Sequence, residues 1–247
     1  MKFDSYIVSE TKTAFSFPLM QVVFKPDKKR KKGFTLAETL ITLSIIGVIA
    51  AVTVPTLMSN TNKAQYVTGL KKAYNQLQNA VRMLPITDPA CYPDVADCLN
   101  DSSDTAAEDY KLETASINTF AQVFKHYKIG DTDKECGNTL TYKAACLVAD
   151  DGMIYSSYTN GFTHVNVDVN GIKGPNKIGR DIFSFRIVDN KVHPAGTTEY
   201  GWGTSTGLNT NEKLMNACTT EYVEKSAGQR FDSYCTAKVL KENAMNY

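Results

Sequence analysis

The feature that most constrains this chain is an apolar run that starts at once after a basic cluster. Lys28, Lys29, Arg30, Lys31 and Lys32 lead into Gly33, and from Phe34 to Met58 the sequence FTLAETLITLSIIGVIAAVTVPTLM holds one ionisable side chain, Glu38. A helix over that run is long enough to cross a hydrocarbon core about 30 Å thick. The basic cluster belongs on the cytoplasmic side, which predicts that everything after Met58 lies outside. An ordinary secretory signal has a shorter apolar run and a small-residue cleavage site at its far end. Ala50-Ala51-Val52 is a poor site of that kind.

Beyond Met58 the pattern changes from continuous to one-sided. Val67, Leu70, Tyr74, Leu77, Val81 and Leu84 recur at helical spacing and predict an amphipathic continuation, stopped at Pro85. Gly47 and Pro55, inside the first half, permit a bend. A helix with a single apolar face needs a globular body to cover it. Residues 85–109, rich in Pro, Asp and Ser, read as a loop. A shorter helix is predicted from Tyr110 to Tyr127, with Phe120, Val123, Phe124 and Tyr127 on one face. Strands are predicted at Thr139–Ala149, Met153–Thr159, Thr163–Val169 and Asp181–Val188, with Asp151-Gly152 and Asn170-Gly171 as turns. The tail from Leu208 to Tyr247 includes a helical stretch. The predicted class is α+β, a long N-terminal helix on a small antiparallel sheet.

Charge and cysteine usage narrow the function. The net charge of +1 conceals eight Lys/Arg against three Asp/Glu in residues 1–33, leaving 19 basic and 23 acidic residues beyond. That mildly acidic remainder supplies no bulk field to attract nucleic acid. All six cysteines, Cys91, Cys98, Cys136, Cys146, Cys218 and Cys235, follow the apolar run, and none forms a C-x-x-C pair. An even number beyond a membrane segment suits disulfides in an oxidising compartment, while free buried thiols are the plainer reading. Sequence proximity pairs Cys91 with Cys98, Cys136 with Cys146 and Cys218 with Cys235, and leaves other connectivities open.

Enzyme signatures are missing. The sequence contains no G-x-S-x-G, H-E-x-x-H, P-loop or Rossmann fingerprint, and His126, His164 and His193 are scattered. Asp150-Asp151 stands before a glycine and reads as a turn. Tyr155, Tyr158, Phe162 and Trp202 supply aromatic surface for stacking on bases only if they escape the core.

The segment KKGFTLAETLITLSIIGVIAAVTVP resembles the N-terminal signature of type IV pilins and of the pseudopilins of type II secretion. That resemblance implies a pilin-like fold and no enzymatic role. It implies cleavage by a prepilin peptidase between Gly33 and Phe34, N-methylation of Phe34, and Glu38 as the glutamate needed for assembly. Gly47 and Pro55 also stand where pilins commonly have glycine and proline. The leader is longer than the pattern, and a start at Met20 would leave the compact leader MQVVFKPDKKRKKG.

The implied organisation is a removed leader (1–33), a transmembrane and assembly half-helix (34–58), an amphipathic half-helix (59–84) and an extracytoplasmic globular domain (85–247). The implied partners are sister pilin subunits, the prepilin peptidase, an inner-membrane assembly platform and the membrane itself. Location is then the inner membrane, followed by a pilus or pseudopilus at the cell surface. The alternative is a competence-type minor pilin acting in DNA uptake or adhesion at a filament tip. The run DVNGIKGPNKIGRDIFSF resembles a segment of this group, and major pseudopilins bind calcium through a C-terminal loop. The corresponding ligands here are Asp168, Asn170 and Asp181 through side-chain oxygens and Ile172 through its carbonyl, although Gly179 replaces the glutamate of an EF-hand. A hydrogen-bonded turn is the plainer reading of the same residues.

Overall fold

The computed structural model describes residues 33–99, 116–130, 136, 146–157, 163–201, 208–225 and 234–247. Residues 1–32 of the leader therefore lie outside the described residues. The chain divides into two compact units, Met1–Ile49 and Ala50–Tyr247.

Helix α1 spans Leu36–Thr87. In the first unit its described residues bury no large side chain. Phe34, Leu36, Leu40, Ile41, Leu43, Ile45, Ile46, Val48 and Ile49 are all exposed. In the second unit the exposed apolar pattern continues through Met58, and a buried stripe then begins at Tyr66 and Val67. It runs through Leu70, Ala73, Leu77, Ala80, Val81 and Leu84. The spacing of this stripe is the one predicted, with Ala73 and Ala80 buried among the larger side chains. The helix passes Pro85 and ends two residues later, because a proline in the last turn forfeits only one intrahelical bond, and Asp88 N donates to Leu84 O at 2.8 Å.

The predicted loop at 85–109 contains structure. A 3₁₀ turn at Pro89–Cys91 is capped by Asp88, whose Oδ1 accepts from Ala90 N. Helix α2 follows at Val95–Leu99, with Asp94 Oδ1 accepting from Ala96 N. Aspartates read as loop markers thus serve as caps.

The sheet has six antiparallel strands in chain order among the described residues: β1 (His126–Gly130), β2 (Cys146–Ala149), β3 (Ile154–Ser157), β4 (His164–Asp168), β5 (Ile182–Val188) and β6 (Lys191–Pro194). The helix predicted over Tyr110–Tyr127 is shorter. Residues 116–121 are helical, the chain turns at 122–124, and His126 opens β1. Phe120 and Phe124 are buried as predicted, but the same spacing serves a helix end that turns into a strand. Residues 110–115, 139–145, 158 and 159 of the predicted elements lie outside the described residues. Strand β6 has no counterpart in the predicted strands. It returns from β5 through Asp189 and Asn190, both at positive φ (52° and 56°), with Val188 opposite Lys191. This is the two-residue hairpin geometry that right-handed strand twist favours.

The core lies between the stripe of α1 and one sheet face. Phe183, Phe185 and Ile187 of β5, Val165 and Val167 of β4 and Tyr155 of β3 join Leu70, Leu77 and Leu84 in one buried cluster. Each fully buried leucine contributes about 1.5–3 kcal/mol. Tyr74 stacks on Phe185 with centroids 5.8 Å apart. A polar staple fixes the register of helix on sheet. Lys72 Nζ lies 2.8 Å from Asp151 Oδ2, Gln76 Nε2 donates to the same oxygen, and Tyr155 Oη donates to Gln76 Oε1 at 2.7 Å.

Three short helices close the second unit: α3 (Asn211–Asn216), α4 (Thr220–Lys225) and α5 (Cys235–Glu242). Disulfides join Cys91 to Cys98, Cys136 to Cys146 and Cys218 to Cys235. The last ties α5 to the α3–α4 connection. Thr236 Oγ1 accepts from Ser184 N, and Ala237 N donates to Ala195 O, so α5 is also bonded to the sheet.

Candidate functional site: a helix start and an oxygen-rich loop

Gly33, Phe34 and Thr35 are not helical, and α1 begins at Leu36. Phe34 is 88% exposed. Thr35 N and Thr35 Oγ1 both donate to Glu38 Oε2, at 2.8 and 2.9 Å, and Glu38 N donates back to Thr35 Oγ1 at 3.2 Å. This reciprocal arrangement is a capping box, which satisfies N–H groups that the first helical turn leaves orphaned. The signal was available in the sequence as T-x-x-E at Thr35–Glu38, hidden by the attention that Glu38 draws as a lone charge. Further along the helix, Thr42 and Ser44 turn their hydroxyls back to backbone carbonyls at Glu38 and Leu40, so these hydroxyls are satisfied within the helix.

Phe34 to Met58 thus offers two things together. A non-helical Gly33–Phe34 peptide stands before a capped helix, and the large apolar side chains of that helix are exposed as far as Met58. Exposed apolar surface on this scale marks membrane or protein contact. Among the described residues α1 is the one helix long and apolar enough to cross a membrane.

The second candidate is the loop from Asp168 to Asp181. Gly171 holds φ +68°, and a Cβ there would collide with the Gly152 carbonyl. Gly69 of α1 faces Val169 with no room for a side chain to spare. The loop is therefore pressed against the helix. Asp168 and Asp181 are buried. Asp168 Oδ1 accepts from Asn170 N, and its Oδ2 has no hydrogen-bond partner. Burial, and then the charge of Asp181, pushes the Asp168 carboxyl up to about 8. Asp181 is also raised by burial, against bonds from Lys177 N (2.7 Å) and Asn176 N (2.8 Å) that favour its charged form. Asn170 Nδ2 donates to Gly174 O, and Asn170 Oδ1 is buried without a partner. Tyr66, reaching from α1, has its hydroxyl pKa raised by burial and then by Asp181 and Asp168. Ile172 is 68% exposed.

The structure thus brings Asp168, Asn170 and Asp181 together, and adds Tyr66, which sequence reading missed because it lies about a hundred residues upstream on the core stripe. The two orphaned oxygens, on Asp168 and Asn170, suit a hard cation. Asp181 already spends a lone pair of each oxygen on a backbone N–H, as a plain turn would. Among the described residues no three His, Cys, Asp or Glu side chains gather as a metal group. Carbonyls and water would have to complete a shell of about six to eight oxygens.

The other residues singled out in the sequence fall into structural roles. Tyr155 is buried in the core and is not available to a base. Tyr158, Phe162 and Trp202 lie outside the described residues. Asp151 bonds Met153 N within its own turn. His164 is packed edge-on against Tyr200.

In comparisons with known proteins, the family described as "Prokaryotic N-terminal methylation motif" matches residues 28–54. That span runs from the basic cluster through Gly33, Phe34 and Glu38 to the middle of the apolar run. The chain therefore carries a type IV pilin-like prepilin signature. The motif points to a structural subunit processed by a prepilin peptidase and assembled with other pilins, and it fits a membrane-anchored protein. Curated proteins and solved structures give no match.

Proposed function

We propose that this chain is a precursor subunit of a type IV pilus or a type II secretion pseudopilus. It is held as a single-pass protein with its α+β body outside, cut between Gly33 and Phe34, N-methylated at Phe34, and polymerised through α1. One observation carries this reading: a capped helix whose large apolar side chains are exposed from Leu36 to Met58 starts just beyond the non-helical Gly33, Phe34 and Thr35 that follow a basic cluster. Glycine lets a peptidase approach the backbone closely. In a filament, apolar half-helices from many subunits bundle into a core like a membrane interior, so a subunit leaves the bilayer without exposing its helix to water.

The Asp168–Asp181 loop holds calcium in this reading, through Asp168, Asn170, Asp181 and the Ile172 carbonyl. A cation there would stabilise two buried carboxylates that otherwise oppose each other. Mass spectrometry of the mature N-terminus together with immunoblotting of sheared filaments tests the main proposal. A chain that starts elsewhere than Phe34, or that never enters the sheared fraction, overturns it.

A further inference from the structure

A cavity of about 460 Å³ opens between the second half of α1 and strand β6. Its helix wall carries Tyr74, Gln78 and Arg82, four residues apart and so aligned on one stripe. Its strand wall carries Lys191 and His193, two apart and so on one face. Among the described residues strand β6 is the last in the sheet and pairs only with β5, so its outer side borders a groove there. The volume lies within the usual range for small-molecule sites.

Both rims are held in place. Asn190, beside Lys191, accepts from Val95 N and donates to Pro93 O, which ties that rim to the Cys91–Cys98 loop. On the other rim Thr197 donates to Pro194 O and Thr198 N donates to Asn211 Oδ1. Glu199 follows on that rim. Its carboxylate is held below the ordinary range by its own backbone N–H, with smaller help from Thr198 and the His193 charge. Tyr74 is fixed by its stack on Phe185. Side chains that bind are thus presented on walls that need not reorganise.

Of the groups that line the cavity, Thr197 and Glu199 carry bonds within their own rim and keep acceptor lone pairs, and others are unspent. Among the described residues the side chains of Gln78, Arg82 and Lys191 make no hydrogen bond or ion pair with the rest of the chain. Two fixed cations against one carboxylate leave the cavity net positive. A guanidinium offers a planar fork that matches a carboxylate in two bonds. Gln78, Thr197 and Glu199 supply the amide, hydroxyl and carboxylate that bind sugar hydroxyls. Tyr74, Val192 and Pro194 supply an apolar wall for the C–H face of a sugar ring. We infer that this cavity is a binding site for a carboxylated sugar, with Arg82 and Lys191 on the carboxylate and Gln78 and Glu199 on the ring hydroxyls.

The inference concerns the globular body and does not depend on filament assembly. Saturation-transfer NMR and calorimetry on the full chain in detergent micelles test it, with glucuronate as probe and glucose and acetate as controls. Glucuronate should bind saturably, with both controls at least about tenfold weaker. Arg82→Ala should weaken glucuronate at least about tenfold. Gln78→Ala should weaken it less and leave acetate unchanged. Arg82 and Lys191 are exposed, so unchanged thermal melting of each variant certifies the fold. Equal binding of acetate would mean a simple anion hole, and equal binding of glucose would mean that the cations do no recognition. Either result, or a glucuronate affinity untouched by Arg82→Ala and by Lys191→Glu, overturns the assignment.

Discussion

Thr35 and Glu38 close on each other at the start of α1, with both Thr35 donors on one carboxylate oxygen, Oε2. Among the described residues Oε1 makes no hydrogen bond. One carboxylate can therefore serve two purposes. Within a bilayer the first N–H groups of a helix have no water to satisfy them, and the box does so from inside the segment. In the proposed filament the remaining oxygen would be free for a cation on a neighbouring subunit.

The capping role predicts a local defect. Thr35→Val keeps the side-chain shape but removes the acceptor for Glu38 N and a donor to Oε2, at a cost of about 1 kcal/mol to the helix start. Amide exchange at Glu38 and Thr39, followed in micelles, should rise about fivefold. Thr35→Ser should restore the parent rate, and membrane insertion should not change.

His164 predicts an acid-sensitive body. Burial, then the nearby Arg186 charge, lowers its pKa from the ordinary 6.5 to about 4, so the native state holds it neutral. A depressed folded value means that the unfolded chain takes the proton first. Stability is intact above about pH 6.5 and falls as pH drops toward 4, by up to about 1.4 kcal/mol per unit. Thermal melts across that window should show the slope, and His164→Gln should flatten it. An unchanged slope in the variant would assign the loss to carboxylates such as Asp151, whose pKa is lowered in spite of its burial, by the bonds from Lys72, Met153 N and Gln76.

The three disulfides close loops of different length, 7, 10 and 17 residues apart in sequence. Longer loops lose more entropy in the unfolded chain, and a loop near the longest of these corresponds to about 3 kcal/mol. Cys218→Ala with Cys235→Ala should therefore lower the denaturation midpoint more than Cys91→Ala with Cys98→Ala. Cys235 Sγ also sits over Gly179, so its loss loosens the far end of the Asp168–Asp181 loop. Urea titrations of the two double variants decide the order.

The elements legible in the sequence are those with a long period or a strong turn. The α1 stripe from Val67 to Leu84 could be read because one apolar face repeats over five turns. Strands β3 and β4 could be read because Asp151-Gly152 and Asn170-Gly171 bracket them, and β5 because its apolar run follows the second of these turns. Strand β6 was not legible, being four residues long, with Pro194 at its end and Asp189-Asn190 in place of the glycine that usually marks such a turn. At the candidate site, the lone charge at Glu38 was conspicuous and its cap was not. Tyr66 could not be found at all, since only folding brings it beside Asp168 and Asp181. The cavity wall from Tyr74 to Arg82 was equally silent, because its partners Lys191 and His193 lie on the unpredicted strand.

Calcium should raise the melting temperature of the purified chain in proportion to the logarithm of its concentration, as a ligand of the native state alone must. Asp168→Asn keeps the shape of the buried side chain and removes a carboxyl that burial penalises when charged, so the chelated variant should match or exceed the chelated parent while losing the calcium response. A melting temperature indifferent to calcium and to chelator would return the loop to a turn organised by Asp181 and the Asn176 and Lys177 N–H groups.

The decisive test separates the two purposes of Glu38. Glutamine at the third helical position completes a capping box as well as glutamate does, so Glu38→Gln keeps the bonds to Thr35 and removes only the charge. Glu38→Ala removes both. If the helix start is all that matters, Glu38→Gln will assemble normally and Glu38→Ala will be impaired. We expect instead that both variants fail to assemble. On the proposed reading, cleavage after Gly33 gives Phe34 an amine, and a neighbouring subunit's Glu38 would meet that cation where water is scarce, so a staggered packing would satisfy both charges and a slipped one would strand them. Insertion and cleavage of both variants should remain near the parent level, because the run from Leu40 to Met58 still drives insertion and Gly33 still precedes the cut. Neither variant should enter sheared filaments, and each should accumulate in the membrane as mature subunit. Restoration of filaments by Glu38→Asp, whose shorter carboxylate retains charge, would reinforce the pairing. Filaments of Glu38→Gln at parent abundance would show that the cap, and not the charge, is what α1 requires of this residue.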